Sequence, residues 1–292
     1  MTVSATTEAA DGAIATRSIL PANPVAILRR ALVYLLLAIA AFVSVFPFFW
    51  MIVGATNASA DIIRGKASFG SALLTNAAAF FTQVDAPRIF FNSGVIAVIA
   101  TALTLAISSL AGYGFEMFRS KVRERIFGLL LLLLSIPFAA MMVPLFVMFS
   151  QAKLVNTFAA VILPTVASIF IIFYFRQATK AFPRELRDAA KIDGLKEWQI
   201  FLYVYLPVMR PTYAAATIIV FMTNWNNYLW PLIVLQTAEN KTITLILSAL
   251  TSAYTPDYGM ILFGTVLATL PTLIIFFLLQ RRFVEGMLGA VK

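Results

Sequence analysis

The 292-residue sequence contains no cysteine and no histidine, and only 12% of its residues are charged. Without cysteine, the chain has no disulfides, no thiolate nucleophile and no iron–sulfur ligands. Without histidine, it has no Ser-His triad, no His-ligated zinc or haem, and no histidine pH sensor. Only its 13 Asp and Glu residues could supply acid–base or metal chemistry, and we predict no catalytic residue and no metal site.

Apolar residues are abundant instead. They make up 61% of the sequence, against roughly 45–50% in soluble domains, where charged residues are also about twice as frequent. The mean hydropathy is +0.90. So few charges cannot cover a soluble surface, and the sequence therefore predicts an integral membrane protein. The net charge of +9 is typical of basic cytoplasmic loops, and we expect no nucleic-acid partner.

Long gaps between charged residues mark the predicted membrane spans. A spanning helix needs about 20 mostly apolar residues, and six gaps are 22 to 30 residues long. The stretches 67–84 and 242–256 are polar or short, and we interpret the second as a loop or a short interfacial helix. The predicted fold is therefore an all-α protein with six transmembrane helices, at about 31–54, 90–113, 127–150, 156–176, 212–235 and 259–280.

The distribution of Lys and Arg predicts the orientation. With the N-terminus inside, 17 of these residues lie on the cytoplasmic side and five outside. Both termini are therefore expected in the cytoplasm of a bacterium, and the chain in its cytoplasmic (inner) membrane as a multi-pass protein. Residues 1–30 carry Glu8 and Asp11, which favours a cytoplasmic tail over a cleaved signal peptide. The transmembrane permease domain is then 31–282, and 283–292 is a second cytoplasmic tail.

The cytoplasmic loop at 177–211, between the predicted fourth and fifth spans, is rich in charge. Pro183 and Glu185 are typical of a first helical turn. Asp193 and Gly194 are typical of a helix end, because glycine can take the left-handed conformation. A second helix is predicted from about Lys196 to Pro207. The loop is therefore predicted to form a helix, a turn and a second helix. Its small residues Ala189 and Ala190 would let a partner approach the backbone.

Spacing within this loop resembles the EAA loop of ABC-importer permeases. That pattern is Glu-Ala-Ala, three residues, Gly, nine residues, Ile, one residue, Leu-Pro, and the sequence matches its spacing from Asp188 to Pro207. Asp188 replaces Glu and is one methylene shorter, and Val204 replaces Ile. The resemblance implies a coupling helix-turn-helix that docks on an ATPase, with Ala190 in the packed contact. The coupling residues it implies are Arg184, Glu185, Asp188, Ala189, Ala190, Asp193, Gly194, Leu206 and Pro207.

Further segments are similar to the second permease subunit of the carbohydrate-uptake, maltose-type family. They are Pro47-Phe-Phe-Trp-Met, Asn92-Ser93, Gly112-Tyr113-Gly-Phe, Asn224-Trp225-Asn226 and Gly289-Ala290-Val291-Lys292. Members of this family import maltodextrin, lactose, glycerophosphate or alginate oligosaccharides.

That resemblance implies a complex with a homologous second permease, two ATPases and a substrate-binding protein outside the membrane. It also implies alternating access to a sugar or oligosaccharide path, and a contact of the tail Gly289, Ala290, Val291 and Lys292 with the ATPases. No phosphate-binding Gly-x-x-x-x-Gly-Lys-Ser/Thr motif is present. ATP and Mg are therefore expected on the partners, with no cofactor on this chain.

Two other functions compete with the permease subunit. A self-sufficient secondary carrier or channel usually places ionisable residues inside the membrane, but the six predicted spans are free of charge. An intramembrane enzyme without Cys or His would need Asp or Glu pairs in the membrane, and none lie there.

The predicted fifth span contains the densest cluster of polar and aromatic residues in any span. Amides within a bilayer must face protein or a water-filled cavity, and sugars bind amides and aromatic faces. The predicted substrate path is therefore Asn224, Trp225, Asn227 and Tyr228. Hydrogen bonding between helices is the alternative role for these side chains.

Single engineered cysteines test the predicted topology without background, because the chain has no cysteine of its own. We expect Ser68→Cys and Asn240→Cys to react with impermeant thiol reagents from outside. Lys121→Cys and Lys196→Cys should react only after the cytoplasmic side is opened. Outside labelling at position 196 in intact cells would contradict the six-span topology.

Overall fold

The computed structural model describes residues 24–289, and within them every regular element is helical, which confirms the predicted all-α class. The α-helices in chain order are α1 (Pro24–Ala55), α2 (Ser59–Ile63), α3 (Leu73–Gln83), α4 (Ala86–Met117), α5 (Lys121–Leu133), α6 (Phe138–Gln151), α7 (Phe158–Ile162), α8 (Ile169–Thr179), α9 (Arg184–Ile192), α10 (Glu197–Ile200), α11 (Leu206–Val208), α12 (Arg210–Trp225), α13 (Leu229–Val234), α14 (Ile243–Thr251) and α15 (Tyr258–Gly289). Short 3₁₀ turns lie at Leu163–Thr165 and Ala238–Asn240, and a π-helical turn at Phe201–Tyr205 joins α10 to α11.

The chain divides into two units, Met1–Trp50 and Met51–Lys292. In the first unit, the described residues form α1 as far as Trp50, whose ring stacks on Phe46 with 6.3 Å between the ring centroids. The second unit contains the remaining helices and all the sites analysed below.

Three helical stretches are long and apolar enough to cross a bilayer on their own: Ile27–Ala55, Ala86–Met117 and Tyr258–Arg281. Three bent helix pairs raise the number of candidate spans to as many as six within the described residues. The count of six and the orientation of the spans stay predictions from the sequence.

The predicted span at 127–150 is not one straight helix. It combines the end of α5 with α6, and the axes of the two helices differ by 100°. Pro137 explains the break, because proline has no N–H for the helix and disfavours helical backbone at the residue before it. The predicted span at 156–176 is bent less, by 41° between Phe158–Thr165 and α8. A bend of 81° separates the helix ending at Val208 from the one starting at Arg210.

The two polar stretches between the predicted spans contain short helices. Helix α3 has 11 residues and α14 has nine. Neither reaches the roughly 20 residues that a span needs. Helix α14 agrees with the interpretation of 242–256 as a loop or short interfacial helix.

Helix α4 lies at the centre of the second unit and packs against α8 and α12. Most of its buried side chains are small, including Ala97, Thr101, Thr104, Ser108 and Gly112. These residues follow one another at intervals of three or four, so they lie on one side of the helix. Small residues on one face allow helix backbones to approach closely inside a membrane.

The Asn92-Ser93 pair fixes the loop that precedes α14. The Asn92 amide donates to the carbonyls of Glu239, at 2.8 Å, and Lys241, at 3.0 Å. The Ser93 hydroxyl accepts a hydrogen bond from the Ile243 N–H at 2.8 Å. Both side chains are buried. This part of the family-like sequence therefore has a structural role at the start of the second predicted span.

Gly112 marks the closest approach of α4 to α8. A Cβ added there would lie 2.7 Å from the Phe175 Cβ and 2.8 Å from the Arg176 backbone nitrogen. Backbone atoms cannot give way as a flexible side chain would. Gly114, two residues further along the same helix, has no atom within 4 Å of an added Cβ.

We therefore expect Gly112→Ala to destabilise the protein by about 1–3 kcal/mol through overpacking. Gly114→Ala is the matched control, and it should be neutral or slightly stabilising because alanine favours the helix. Thermal unfolding of both purified variants checks this difference. Equal unfolding temperatures for the two variants would contradict the close approach at Gly112.

Candidate functional site

A compact turn joins α9 and α10 in the loop at 177–211, which the sequence predicts to be cytoplasmic. Gly194 has a φ of +83°, the left-handed conformation expected for it. The Gly194 N–H donates to the Lys191 carbonyl and the Leu195 N–H donates to the Ala190 carbonyl, each at 3.0 Å. This pair of bonds is the Schellman motif, which satisfies the last carbonyls of a helix. The turn that the sequence predicts at Asp193 and Gly194 is therefore present.

A single carboxylate ties the two helices together. Glu197, at the start of α10, accepts hydrogen bonds from Arg187 at 2.6 Å and from Lys191 at 2.9 Å, and both donors lie on α9. The Tyr113 hydroxyl of α4 donates to the same carboxylate at 3.2 Å. Partial burial of Arg187 opposes its charge, but the bonds to Glu197 raise the pKa of the guanidinium above its usual value. The clamp around Glu197 therefore holds α9, α10 and α4 in a fixed arrangement.

A mainly aromatic cluster packs beside this clamp and shares Tyr113 with it. It contains Tyr113, Phe182, Phe201, Tyr205 and Met209, all buried. The Tyr113 and Tyr205 rings meet edge to face with centroids 4.8 Å apart. The Tyr205 hydroxyl also shares a 2.7 Å hydrogen bond with the Thr179 hydroxyl at the end of α8. Phe182 precedes α9 and Phe201 follows α10, so the cluster anchors both ends of this helix pair to the ends of α4 and α8.

The outer face of α9 carries no partner from the described chain. Glu185, Asp188, Ala189 and Ile192 are exposed there, at the spacing that places residues on one helix face. The Ile192 side chain is 88% exposed, and Trp198 on α10 is 57% exposed. An apolar side chain beside two carboxylates and an alanine forms a small mixed surface. The sequence analysis did not single out Ile192, although its position seven residues after Glu185 could have shown it.

Ala190 does not lie on that face. It is buried within this chain, with 6% of its surface exposed, because it faces the turn that its own carbonyl closes through Leu195. A packed contact of Ala190 with a partner stays a prediction from the sequence. Ala189, next to it, has the exposed position that such a contact requires.

The other residues expected in the loop differ in exposure. Arg184 and Asp193 are exposed, whereas Leu206 and Pro207 are half-buried. Gly289 is the last described residue of α15. Ala290, Val291 and Lys292 of the predicted tail contact lie outside the described residues, as does most of the 1–30 tail.

An ion-pair network at the base of α9 was not predicted from the sequence. Glu116, near the end of α4, is 2% exposed and contacts Arg119, Arg176 and Arg184. Arg176 is itself buried, pairs with Glu124, and lies 4.0 Å from the centre of the Phe127 ring. A buried carboxylate needs such partners, because an unpaired charge is costly away from water. In the sequence, Glu116 and Arg176 each lie at the end of a charge-free apolar segment. That position does not show that the two residues pair.

A cavity of about 460 Å³ lies between α4, α8 and α12. Asn224 and Asn227 line it, and neither side-chain amide makes a hydrogen bond within the described part of the chain. Hydroxyl and aromatic groups complete its polar and ring surfaces, from Thr104, Thr165, Ser168, Thr223, Phe138 and Phe170. The cavity therefore combines free amides with aromatic rings. Its hydroxyls and rings come from segments far apart in sequence.

The structure does not bring the four predicted substrate-path residues together. The Trp225 ring is buried against Phe221 and its indole N–H donates to the Ala268 carbonyl at 3.0 Å. Tyr228 lines a different cavity, where its hydroxyl accepts from Ser248 at 3.0 Å. A helix carries successive residues around its axis, so neighbours in sequence face different partners. Only Asn224 and Asn227 remain on the cavity.

Comparisons with known proteins agree with the resemblance of the loop. Residues 104–289 match the family model of the binding-protein-dependent transport system inner membrane component. The chain is 66% identical to the lactose transport system permease protein LacG of Rhizobium radiobacter, over 89% of this chain and 95% of that protein. It is 37% identical to the arabinooligosaccharides transport system permease protein AraQ of Halalkalibacterium halodurans, over 87% and 94%.

Among solved structures, a chain of a bacterial ABC transporter involved in the import of the acidic polysaccharide alginate shares the fold. The TM-score is 0.78 at 17% sequence identity, and the match covers 89% of this chain and 98% of that one. The family match extends over more than half of the sequence and includes the cytoplasmic loop and the cavity. The chain therefore belongs to the inner-membrane components of binding-protein-dependent transport systems, the non-catalytic, multi-pass permease subunits of bacterial ABC sugar importers.

Proposed function

We propose that this chain and a homologous second permease form the path of an importer for a lactose-type oligosaccharide. The two permeases alternate between outward and inward access, and two ATPases in the cytoplasm drive the change. A binding protein outside the membrane delivers the sugar. ATP and Mg are bound by the ATPases, because this chain has no phosphate-binding motif of its own.

The observation that carries the proposal is the exposed face of α9. The opposite side of α9 is fixed by the Arg187–Glu197 ion pair and by the aromatic cluster. A displacement of α9 by the ATPase would therefore also move α4 and α8. The carboxylates of Glu185 and Asp188 suit basic groups on a partner, and Ile192 offers an apolar anchor. Ala189 between them keeps the backbone accessible. The tail Gly289, Ala290, Val291 and Lys292 is proposed as a second contact with the ATPases.

The cavity beside Asn224 and Asn227 is the proposed place of sugar contact. Sugar hydroxyls need donors and acceptors, and the two free amides supply both. The apolar face of a sugar ring suits Phe138 and Phe170. The identity of 66% to a lactose permease supports a disaccharide as the substrate.

Ala189→Arg tests the docking face. A long charged side chain at a packed contact costs about 1–3 kcal/mol, which is roughly a 5- to 150-fold loss of affinity. We expect a normal amount of protein in the membrane, but little co-purified ATPase and little lactose uptake. Because Ala190 is buried in this chain, Ala190→Arg should instead lower the amount of folded protein.

Ala181→Arg is the matched control for this experiment. It introduces the same side chain at an exposed position of the same loop, outside α9. It should retain ATPase and uptake near the level of the unmodified protein. Full transport by Ala189→Arg with ATPase bound at normal stoichiometry would show that α9 is not the docking element.

Asn227→Ala tests the sugar contact. Loss of one hydrogen bond of about 0.5–1.5 kcal/mol should raise the apparent KM for lactose uptake roughly 2- to 13-fold. The neighbouring Asn226→Ala is the control, because the Asn226 amide is exposed and bonds to the Met222 carbonyl of its own helix. Uptake is measured in vesicles that contain the whole transporter and its binding protein. An unchanged KM and rate for Asn227→Ala would remove this residue from the path.

A further inference from the structure

A second cavity, of about 650 Å³, opens where α4 turns into α5 beside the end of α8. It is distinct from the cavity at Asn224 and from the exposed face of α9. Five of its seven lining residues are cationic. The lining consists of Arg119, Ser120, Lys121, Glu124, Arg125, Arg176 and Lys180.

Acidic groups balance only part of this positive charge. Arg119 pairs with Glu116, and Arg176 pairs with both Glu116 and Glu124. Lys121, Arg125 and Lys180 form no ion pair within residues 24–289. Lys180 also interacts electrostatically with the exposed Glu124. Because none of the three is held in an ion pair within these residues, they remain available to an anion that enters the cavity.

An exposed apolar stripe on α5 adjoins the cavity. Val122, Ile126, Leu129 and Leu133 recur at intervals of three or four residues, and they are 46% to 63% exposed. Lys121 and Arg125 each come one position before a member of the stripe. Cations beside an exposed apolar helix face are typical of the boundary between phospholipid headgroups and acyl chains. Helix α5 also begins where the predicted third span leaves the cytoplasm.

We propose that this cavity binds the phosphodiester headgroup of an anionic phospholipid from the cytoplasmic leaflet. The phosphate pairs with Lys121, Arg125 and Lys180, and the acyl chains lie along the apolar stripe of α5. Basic pockets between helices on the cytoplasmic side are suited to such headgroups. A soluble phosphate would use the cations alone, but it would leave the adjoining apolar stripe without a role.

The location gives the lipid a structural consequence. Arg176 lines the cavity and also contacts Glu116, which in turn contacts Arg184 at the start of α9. A headgroup in the cavity is therefore connected to the base of α9 through two successive ion pairs, Arg176–Glu116 and Glu116–Arg184.

Lipid retention by the whole transporter tests the proposal. The complex is placed in nanodiscs of phosphatidylcholine with increasing phosphatidylglycerol, and the bound lipids are counted by native mass spectrometry. The unmodified complex should retain phosphatidylglycerol in preference to phosphatidylcholine. The triple variant Lys121→Gln/Arg125→Gln/Lys180→Gln should bind it at least roughly tenfold more weakly, since each cation near the membrane surface contributes to attraction of anionic lipid.

The control variant is Lys196→Gln/Arg210→Gln. It removes two exposed cations of the loop at 177–211 that do not line the cavity. Its affinity for phosphatidylglycerol should stay within about twofold of the unmodified complex. All three altered residues of the cavity variant are exposed, and its unfolding temperature in pure phosphatidylcholine should match that of the unmodified complex.

Several outcomes would overturn the proposal. One is the absence of any preference for phosphatidylglycerol in the unmodified complex. This outcome does not depend on whether a variant folds. Another is a triple variant that retains the lipid as well as the unmodified complex. Displacement of the lipid by inorganic phosphate alone would identify a site for free phosphate. Loss of ATPase with unchanged lipid binding would identify a protein contact. Lipid retention is measured without transport, so it is independent of the function proposed above.

Discussion

The close approach of α4 and α8 at Gly112 is the constraint on which the loop at 177–211 and the helix ends beside it depend. It places Phe175 and Arg176 directly against α4. One helical turn further, this contact brings Glu116 to Arg176. The same contact sets the distance between Tyr113 on α4 and Tyr205, which bonds to Thr179 at the end of α8. It therefore fixes the position of the aromatic cluster. A side chain larger than hydrogen at Gly112 would separate the two helices that carry the loop.

Rigidity distinguishes the supporting side of the loop from its exposed side. The Glu197 clamp unites two cations of α9 with the hydroxyl of Tyr113, and such a network holds geometry as well as adding stability. The exposed side presents Ile192 and two carboxylates without a partner in the described chain. This division leaves one side of α9 exposed while its other side is held against α10 and α4.

Much of the cytoplasmic loop could be predicted because its signals are local. Gly194 is needed wherever a helix ends in the left-handed conformation, and the spacing from Asp188 to Pro207 is readable in one dimension. The sequence did not show which of the two alanines is exposed. Ala189 and Ala190 are identical in sequence, and only the packing of α10 against α9 makes one exposed and the other buried. Of the four residues predicted for the substrate path, only Asn224 and Asn227 line the cavity. Trp225, which lies between them in sequence, faces Ala268 instead, and the sequence does not show this direction.

The sequence by itself determined that the chain is a helical membrane protein, where its apolar segments lie, and which family the loop resembles. These properties follow from composition, charge gaps and fixed spacings, which no packing can alter. The tertiary structure alone decided which charges meet, as for Glu116 and Arg176, and where Pro137 turns a predicted span into two helices at 100°. It also decided that Lys121, Arg125 and Lys180 form no ion pair within residues 24–289, whereas Arg119 and Arg176 beside them do. Such contacts join residues that are far apart along the chain, such as Glu116 and Arg184, and a single sequence does not show which distant residues meet in the fold.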